Sequence, residues 1–166
     1  MIRKIDDFLK IWDYESEATL KVFKSITDEK LNKSVQGYER TLGFIAWHIT
    51  VSMGEMGERT GLHIDCPKYD TEPLGNIASI IETYKKAADS LLNEIKTNWT
   101  DDSLLKESDM YGEMWENGRT LGSIIGHQTH HRAQMTVLMR ILGLPVPGVY
   151  GPSKEEWAQF GMETQK

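Results

Sequence analysis

The fold is decided by residues 120–145, which read TLGSIIGHQTHHRAQMTVLMRILGLP. Apolar residues recur in this stretch every three or four positions, which is the spacing of one face of an α-helix. Thr120 stands where a helix N-cap is expected, and Gly143 with Pro145 supplies a stop signal. The stretch therefore predicts a long helix with one buried face.

Three further segments of the chain show the same helical period. They cover residues 5–26, about 41–61 and about 74–99. Glu15 and Ser16 interrupt the apolar spacing of the first segment midway, and Thr27 is placed to cap a short helix that follows it. Four helices of this length predict an all-α four-helix bundle that forms one domain over residues 1–166.

Residues 100–119 and the tail differ from the periodic segments. The first stretch is rich in Asp, Glu, Asn and Gly, and its Asn117-Gly118 pair is a strong turn signal. Its length exceeds that of a tight turn, so it predicts a long connection before the last helix. The tail, VPGVYGPSKEEWAQFG over residues 146–161, predicts an ordered wrap that ends in a helical turn around Trp157.

Composition narrows the class of protein. Hydrophobic residues make up 39% of the chain and charged residues 27%, as in globular proteins. The net charge is −6 and no run of Lys or Arg stands out, which argues against a nucleic-acid partner. No stretch approaches the roughly 20 apolar residues of a membrane span, and the N-terminus lacks a continuous apolar segment. The single cysteine, Cys66, cannot form an internal disulfide. These features predict a cytoplasmic protein without a membrane association.

Three histidines are the feature that points to chemistry. On a helical wheel of about 100° per residue, His131 lies roughly 20° and His127 roughly 60° from the buried direction, on the same flank. His130 lies roughly 120° away and is expected to face outward. His48 sits beside the buried stripe of the second long helix. Pattern alone leaves two interpretations open, a metal site or core-edge histidines satisfied by hydrogen bonds.

Several motifs give the chain a family resemblance. The run GHQTHHRAQ, with HxxxHRxQ over residues 127–134, the upstream WHIT that contains His48, and the tail PGVYGPSKEEW together resemble the DinB/YfiT-like family. The resemblance covers essentially the whole chain. It implies a four-helix bundle with a long connection before the last helix, frequent homodimerisation, and a divalent metal held by His48, His127 and His131. Zinc or nickel is the expected metal, with iron or copper as alternatives, since three imidazoles suit all four.

The resemblance also suggests a chemistry. It implies thiol S-transferase activity with a low-molecular-weight thiol cosubstrate, such as bacillithiol or mycothiol, on a small electrophilic substrate. Hydrolysis by a metal-activated hydroxide is a close variant. A zincin protease is disfavoured, because the HxxxH motif lacks the Glu of HExxH. From a different class, the chain could be a non-catalytic metal-binding stress-response protein or a dimeric binding module. A catalytic site keeps an open metal position, whereas a structural site is closed by a fourth protein ligand.

Other residues are weaker candidates for the site. Glu55 follows His48 by seven positions and is expected on the same helical face, about 10 Å along the axis. Arg132 and Gln134 match family positions for orienting the site or binding substrate, although the wheel points Arg132 away from the core centre. Cys66 is expected to be a buried or incidental thiol outside the ligand cluster. Four aromatic residues are candidates either for lining a pocket or for packing: Trp47, Tyr111, Trp115 and Tyr150.

Overall fold

The structure is a computed structural model that describes residues 2–161 and 163. Met1, Met162 and residues 164–166, which the predicted domain includes, lie outside the described residues. Within the described part, the α-helices are α1 (Ile5–Phe23), α2 (Asp28–Leu31), α3 (Leu42–Arg59), α4 (Ile77–Asn98) and α5 (Asn117–Ile141). An antiparallel hairpin is formed by β1 (Glu107–Met110) and β2 (Glu113–Glu116), and 3₁₀ turns cover Asp101–Leu105 and Trp157–Phe160.

The four long helices pack as a bundle. Helix α5 packs against α1 and α3, and α4 packs against the same two helices, so α1 and α3 lie on opposite corners. Buried apolar side chains from all four helices meet between them, among them Trp12, Ile49, Tyr84 and Met135. Removal of this apolar surface from water is the main favourable contribution to the fold. The prediction of an all-α four-helix bundle is confirmed.

Local signals set several helix ends. The Thr41 hydroxyl accepts a hydrogen bond from the Phe44 N–H at 3.1 Å, and the Asn76 side chain accepts one from the Ser79 N–H at 2.8 Å. Each side chain satisfies an N–H that has no partner within its own helix. Gly61 follows α3 with a φ of 84°, a left-handed conformation that glycine adopts without steric cost. The predicted beginning and end of this helix are therefore correct.

The connection before the last helix contains structure that the sequence interpretation missed. It holds the 3₁₀ turn and the β1–β2 hairpin, whose turn lies at Tyr111-Gly112. The Asn117-Gly118 pair, predicted to be a turn, instead lies in the first turn of α5. Thr120 was predicted to cap this helix, and that prediction is wrong because the helix begins three residues earlier.

Tertiary contacts explain why Asn117 and Gly118 stand at the start of α5. The Asn117 carboxamide accepts a hydrogen bond from the Ser108 hydroxyl at 2.8 Å and donates one to the Ser103 carbonyl at 3.2 Å. A Cβ on Gly118 would collide with the carbonyl oxygen of Ile2, which crosses the helix there. The pair that resembles a turn signal is required by packing around a helix N-terminus.

A helix that crosses a membrane is both long and apolar. In the part of the chain that the structure describes, none of the helices is both long enough and apolar enough to cross a membrane.

Candidate metal centre

The structure brings the three predicted histidines together where α3 and α5 pack. His48 extends from α3, and His127 and His131 extend from successive turns of α5. The Nε2 atom of His127 lies 3.2 Å from the Nε2 of His48 and 3.2 Å from the Nε2 of His131. One nitrogen from each ring falls within 4.8 Å of the other two. Three ring nitrogens therefore surround a single point.

The spacing of these nitrogens suits a bound cation. At zinc–nitrogen distances of about 2.1 Å, ligand atoms are about 3.4 Å apart in tetrahedral geometry and about 3.0 Å apart at adjacent octahedral positions. The observed 3.2 Å lies between these values. The donor set thus fits a divalent cation held on one side by three imidazoles, as in catalytic three-histidine sites.

Neighbouring side chains orient two of the rings. The Nδ1 of His131 is 2.8 Å from the Oε1 of Gln134, and because this oxygen accepts, Nδ1 carries the proton. The lone pair of His131 therefore lies on Nε2, inside the cluster. The Nδ1 of His48 faces the Ser52 hydroxyl at 3.3 Å. Such outer partners fix the tautomer and direction of metal-binding histidines.

The electrostatic environment keeps the three rings neutral. Burial, together with the nearby His131, lowers the pKa of His48 and the pKa of His127 to about 4. Burial also lowers the pKa of His131. At neutral pH each imidazole therefore offers a lone pair rather than a proton, which is the state that a metal ligand needs.

A cavity of about 400 Å³ opens beside the cluster. Its lining residues are His48, Ser52, Glu55, Met56, Tyr69, Tyr111, Trp115, Ser123 and His127. A second cleft of about 500 Å³ shares His48 and Tyr69 with it and extends past Phe44 and Trp47. Two of the four aromatic candidates, Tyr111 and Trp115, therefore line the cavity at the histidines. The cavity is large enough for a small organic molecule.

Comparisons with known proteins show the family of the chain and its fold. The DinB family model matches residues 1–166. The chain belongs to the DinB family. The Bacillus subtilis protein YrdA, which is uncharacterized, is 42% identical over 166 residues, covering 100% of this chain and 99% of YrdA.

Two crystal structures of DinB-like proteins share the fold. A protein from Bacillus cereus superposes with a TM-score of 0.86 at 37% identity, over 90% of this chain and 100% of that one. The Bacillus subtilis protein YjoA superposes with a TM-score of 0.67 at 14% identity, over 86% of this chain and 97% of that one. The second comparison supports the fold alone.

Within this DinB-family bundle, Glu55 lies on the cavity wall but is engaged by other side chains. Its Oε1 accepts from Arg59 at 3.2 Å, and its Oε2 accepts from the Tyr111 hydroxyl at 3.0 Å. Glu55 thus links α3 to the tip of the hairpin. The sequence placed it on the face of His48, and the structure puts both residues in the same cavity.

Arg132 lies away from the cavity and is fully buried. Its Nη2 is 2.7 Å from the Oε2 of Glu15, and its Nη1 donates to the Glu15 carbonyl at 3.1 Å and to the Thr19 hydroxyl at 3.0 Å. The Tyr150 hydroxyl donates to the Oε1 of Glu15 at 2.7 Å. The expectation that Arg132 points away from the core is wrong, because α5 buries a second side against α1. Arg132 joins α5, α1 and the tail rather than the site.

The remaining histidine and the cysteine stay outside the cluster. His130 is exposed, and the Gln134 side chain lies between it and His131. Cys66 follows α3, where its thiol donates to the Thr50 carbonyl at 3.4 Å. Burial raises the pKa of this thiol to about 12, so it stays protonated.

Some contributing residues were missed at the sequence level. Ser52, Tyr69 and Ser123 line the cavity, and Glu15 pairs with Arg132. A signal for Glu15 existed, because a carboxylate within the apolar face of α1 suggests a buried ionic partner. Glu15 interrupts the apolar pattern of this segment, and α1 continues through it as one helix.

Proposed function

We propose that this DinB-family protein is a metal-dependent enzyme that transfers a low-molecular-weight thiol to a small electrophile. The observation that supports the proposal most strongly is a cluster of three histidine ring nitrogens, two of whose residues, His48 and His127, line an open cavity. Among the described residues, the cluster contains no cysteine or carboxylate ligand beside the three histidines. An incomplete protein ligand set that faces a cavity is typical of a catalytic metal rather than a structural one.

The residues of the chain have separate parts in this reaction. His48, His127 and His131 would hold a divalent cation, zinc or nickel being the preferred ions and iron or copper the alternatives. When bound, such a cation supplies a positive charge that lowers the pKa of a thiol or a water molecule towards neutrality. Ser52 and Gln134 fix the rings of His48 and His131. Met56, Tyr69 and Trp115 provide apolar walls that restrict water around the reacting groups.

The surroundings of Glu55 favour thiol transfer over hydrolysis. Activation of water for hydrolysis is commonly assisted by a free carboxylate that accepts its proton. Glu55 is the carboxylate on the described wall of the cavity, and both of its oxygens already accept hydrogen bonds. Thiol transfer needs less help, because a thiol loses its proton to solvent more readily than water does. The thiolate sulfur then forms a bond to an electrophilic carbon, and the leaving group departs with its bonding electrons.

The test begins with metal content and continues with rate. Protein purified without a His-tag or nickel resin is analysed for bound metals. Consumption of 1-chloro-2,4-dinitrobenzene is then followed with a panel of cysteine, glutathione, bacillithiol and mycothiol. We expect a rate with at least one thiol that disappears with chelator and in His131→Ala. The matched control is His63→Ala, because His63 is an exposed histidine outside the cluster.

Each alternative has its own outcome in this experiment. A metal-dependent hydrolysis of simple esters without any thiol rate would support the hydrolase. Bound metal without either rate would support the binding module. Absence of a metal-dependent rate with every thiol would contradict the transferase.

Homodimer formation is part of the same proposal. Val137 and Ile141 lie one turn apart on α5 and are 58% and 59% exposed, which leaves an apolar surface for a second copy. Sedimentation equilibrium measures the mass directly. A mass of one chain at high micromolar concentration would contradict the dimer.

A further inference from the structure

The turn of the β1–β2 hairpin holds a residue that its backbone conformation disfavours. Tyr111 has a φ of 60° and Gly112 a φ of 88°. Two successive left-handed residues are characteristic of a type I′ turn, where Asn-Gly and Asp-Gly are the usual pairs. Among the described residues, Tyr111 is the one non-glycine residue with a positive φ. A bulky side chain is unfavourable there, because its Cβ crowds the backbone carbonyl. The contacts of the Tyr111 side chain should therefore explain why a tyrosine occupies this position.

The side chain of Tyr111 reaches from the hairpin to the metal cavity. Its ring lines the same cavity as His48 and His127. Its hydroxyl donates to Glu55 at 3.0 Å, and the guanidinium of Arg59 lies 4.4 Å from its ring centroid. These contacts hold the tip of the hairpin against α3, the helix that carries His48.

Stability accounts poorly for a tyrosine at this position. The Tyr111 side chain remains 56% exposed, so its burial contributes little hydrophobic stabilisation. The interactions with Glu55 and Arg59 are partly exposed, where such contacts contribute weakly. The contacts with Glu55 and Arg59 instead fix the orientation of the Tyr111 ring. Partial burial and the charge of Glu55 raise the pKa of Tyr111 to about 12, so the phenol remains a hydrogen-bond donor to that carboxylate.

We propose that Tyr111 is a substrate-positioning residue whose ring packs against an aromatic group of the thiol substrate while the sulfur of that thiol lies at the three histidines. Trp115 and Tyr69 line the same cavity and extend this aromatic wall. Aromatic rings attract one another in stacked or edge-to-face arrangements beyond the effect of buried area. The inference rests on the proposed function, because it assigns a preference for aromatic thiols to that same site.

The experiment compares fold stability with ligand affinity. Tyr111→Asn introduces a residue that the turn prefers, so the melting temperature of the metal-free protein should be equal to or higher than that of the parent. Thiophenol and 2-mercaptoethanol are titrated into Co²⁺-loaded protein, whose visible absorption changes when a thiolate binds. We expect Tyr111→Asn to weaken thiophenol by about tenfold. Its affinity for 2-mercaptoethanol, which has no ring, should stay within about twofold.

Two further variants separate the ring from its surroundings. Tyr111→Phe keeps the ring and the contact with Arg59, so it should restore most of the thiophenol affinity that Tyr111→Asn loses. Met114→Ala changes a residue of the same hairpin that is 57% exposed and does not line the cavity, and it should bind both thiols as the parent does. All variants should keep the parental Co²⁺ content.

Outcomes for this inference and for the proposed function are distinguishable, because binding is measured without turnover. A lower melting temperature of Tyr111→Asn with unchanged affinities would assign Tyr111 to the hairpin alone and overturn the inference. Parent protein that binds thiophenol no more tightly than Tyr111→Asn does would also overturn it. If Tyr111→Asn binds thiophenol more weakly than the parent does, but the parent shows no transferase rate, the proposed function is contradicted and the positioning role of Tyr111 stands.

Discussion

The side of α5 from which a histidine extends decides whether that histidine can bind a metal together with His48 of α3. His127 and His131 are one turn apart and face α3, whereas His130 is exposed on another side. We therefore expect His127→Ala, His131→Ala and His48→Ala each to lose most of the bound metal, because two imidazoles hold a cation far less tightly than three. His130→Ala and His63→Ala serve as controls and should retain it. Metal content after dialysis, measured by mass spectrometry, checks this. Equal loss in His130→Ala would show that a different set of histidines binds.

The ion pair of Arg132 with Glu15 is expected to affect the stability of the fold rather than metal binding. Both side chains are almost fully buried, so removing one partner leaves an uncompensated charge in the core. Arg132→Leu should lower the free energy of unfolding by about 3–5 kcal/mol. Urea denaturation followed by circular dichroism measures the change.

A second variant tests the cause of that loss. Replacement of both partners, Glu15→Gln with Arg132→Leu, removes the stranded carboxylate and should recover part of the stability. The loss of unfolding free energy in the double variant is compared with the sum of the losses in Glu15→Gln and in Arg132→Leu, each measured alone. Equality would show that the two charges do not act as a pair. Neither residue lines the cavity, so both proteins should retain metal when folded.

The thiol of Cys66 is expected to be unreactive towards alkylating reagents in the native protein. Burial raises the pKa of its thiol to about 12, and the thiolate is the reactive form. At pH 8 the native protein should contain roughly a thousandfold less thiolate than a free thiol does. Alkylation by iodoacetamide should therefore be slow in the native state, fast in denaturant, and faster as the pH rises towards 12. Since Cys66 is the only cysteine, the labelling reports it alone. Equal native and denatured rates at pH 8 would contradict this. Cys66→Ser should leave metal content unchanged.

Glycines within α3 and α5 differ in how closely other parts of the chain approach them. A Cβ on Gly54 would lie 2.6 Å from the Cβ of Cys66, because the chain after α3 crosses the helix at that point. Gly122 in α5 has open space around it. We expect Gly54→Ala to destabilise the fold by about 1–3 kcal/mol through overpacking. Gly122→Ala should stabilise it by up to about 1 kcal/mol through helix propensity.

Thermal and urea denaturation of the two alanine variants give this comparison directly. Both changes add one methyl group to a helix interior, so they differ only in what surrounds it. Stabilisation by Gly54→Ala would mean that the segment at Cys66 moves aside at little cost.

The elements that sequence predicts well are those with local signals. Helices α3 and α4 begin at side chains that cap them, and the end of α3 is set by Gly61. The β1–β2 hairpin was missed because its strands are short and mostly polar, and because Tyr-Gly is an unusual type I′ pair. Periodicity places His127 and His131 on one flank. It cannot show that Glu15 meets Arg132 across 117 positions of the chain, because that contact arises from helix packing.

The whole molecule has a core that does not depend on the histidines. Large apolar side chains from α1, α3, α4 and α5 are buried throughout the bundle, whereas the histidine cluster lies at a cavity on its side. A chain of 166 residues buries enough apolar surface to fold without a metal. The metal-free protein is therefore expected to melt in one cooperative transition, unlike a zinc finger, which needs its metal to fold.

Metal should still stabilise this preformed bundle, because the unfolded chain does not hold three imidazoles at 3.2 Å spacing. A cation that binds only the folded state adds about 2.7 kcal/mol at a free concentration 100 times its Kd. For a domain of this size that corresponds to a rise in melting temperature of roughly 5–10 °C. Differential scanning calorimetry with increasing Zn²⁺ measures the shift. His131→Ala is the matched control and should melt at a temperature that depends little on Zn²⁺, whereas His63→Ala should follow the parent. A metal-free protein without a cooperative transition would show that the cluster is needed for folding itself, and the site would then be structural.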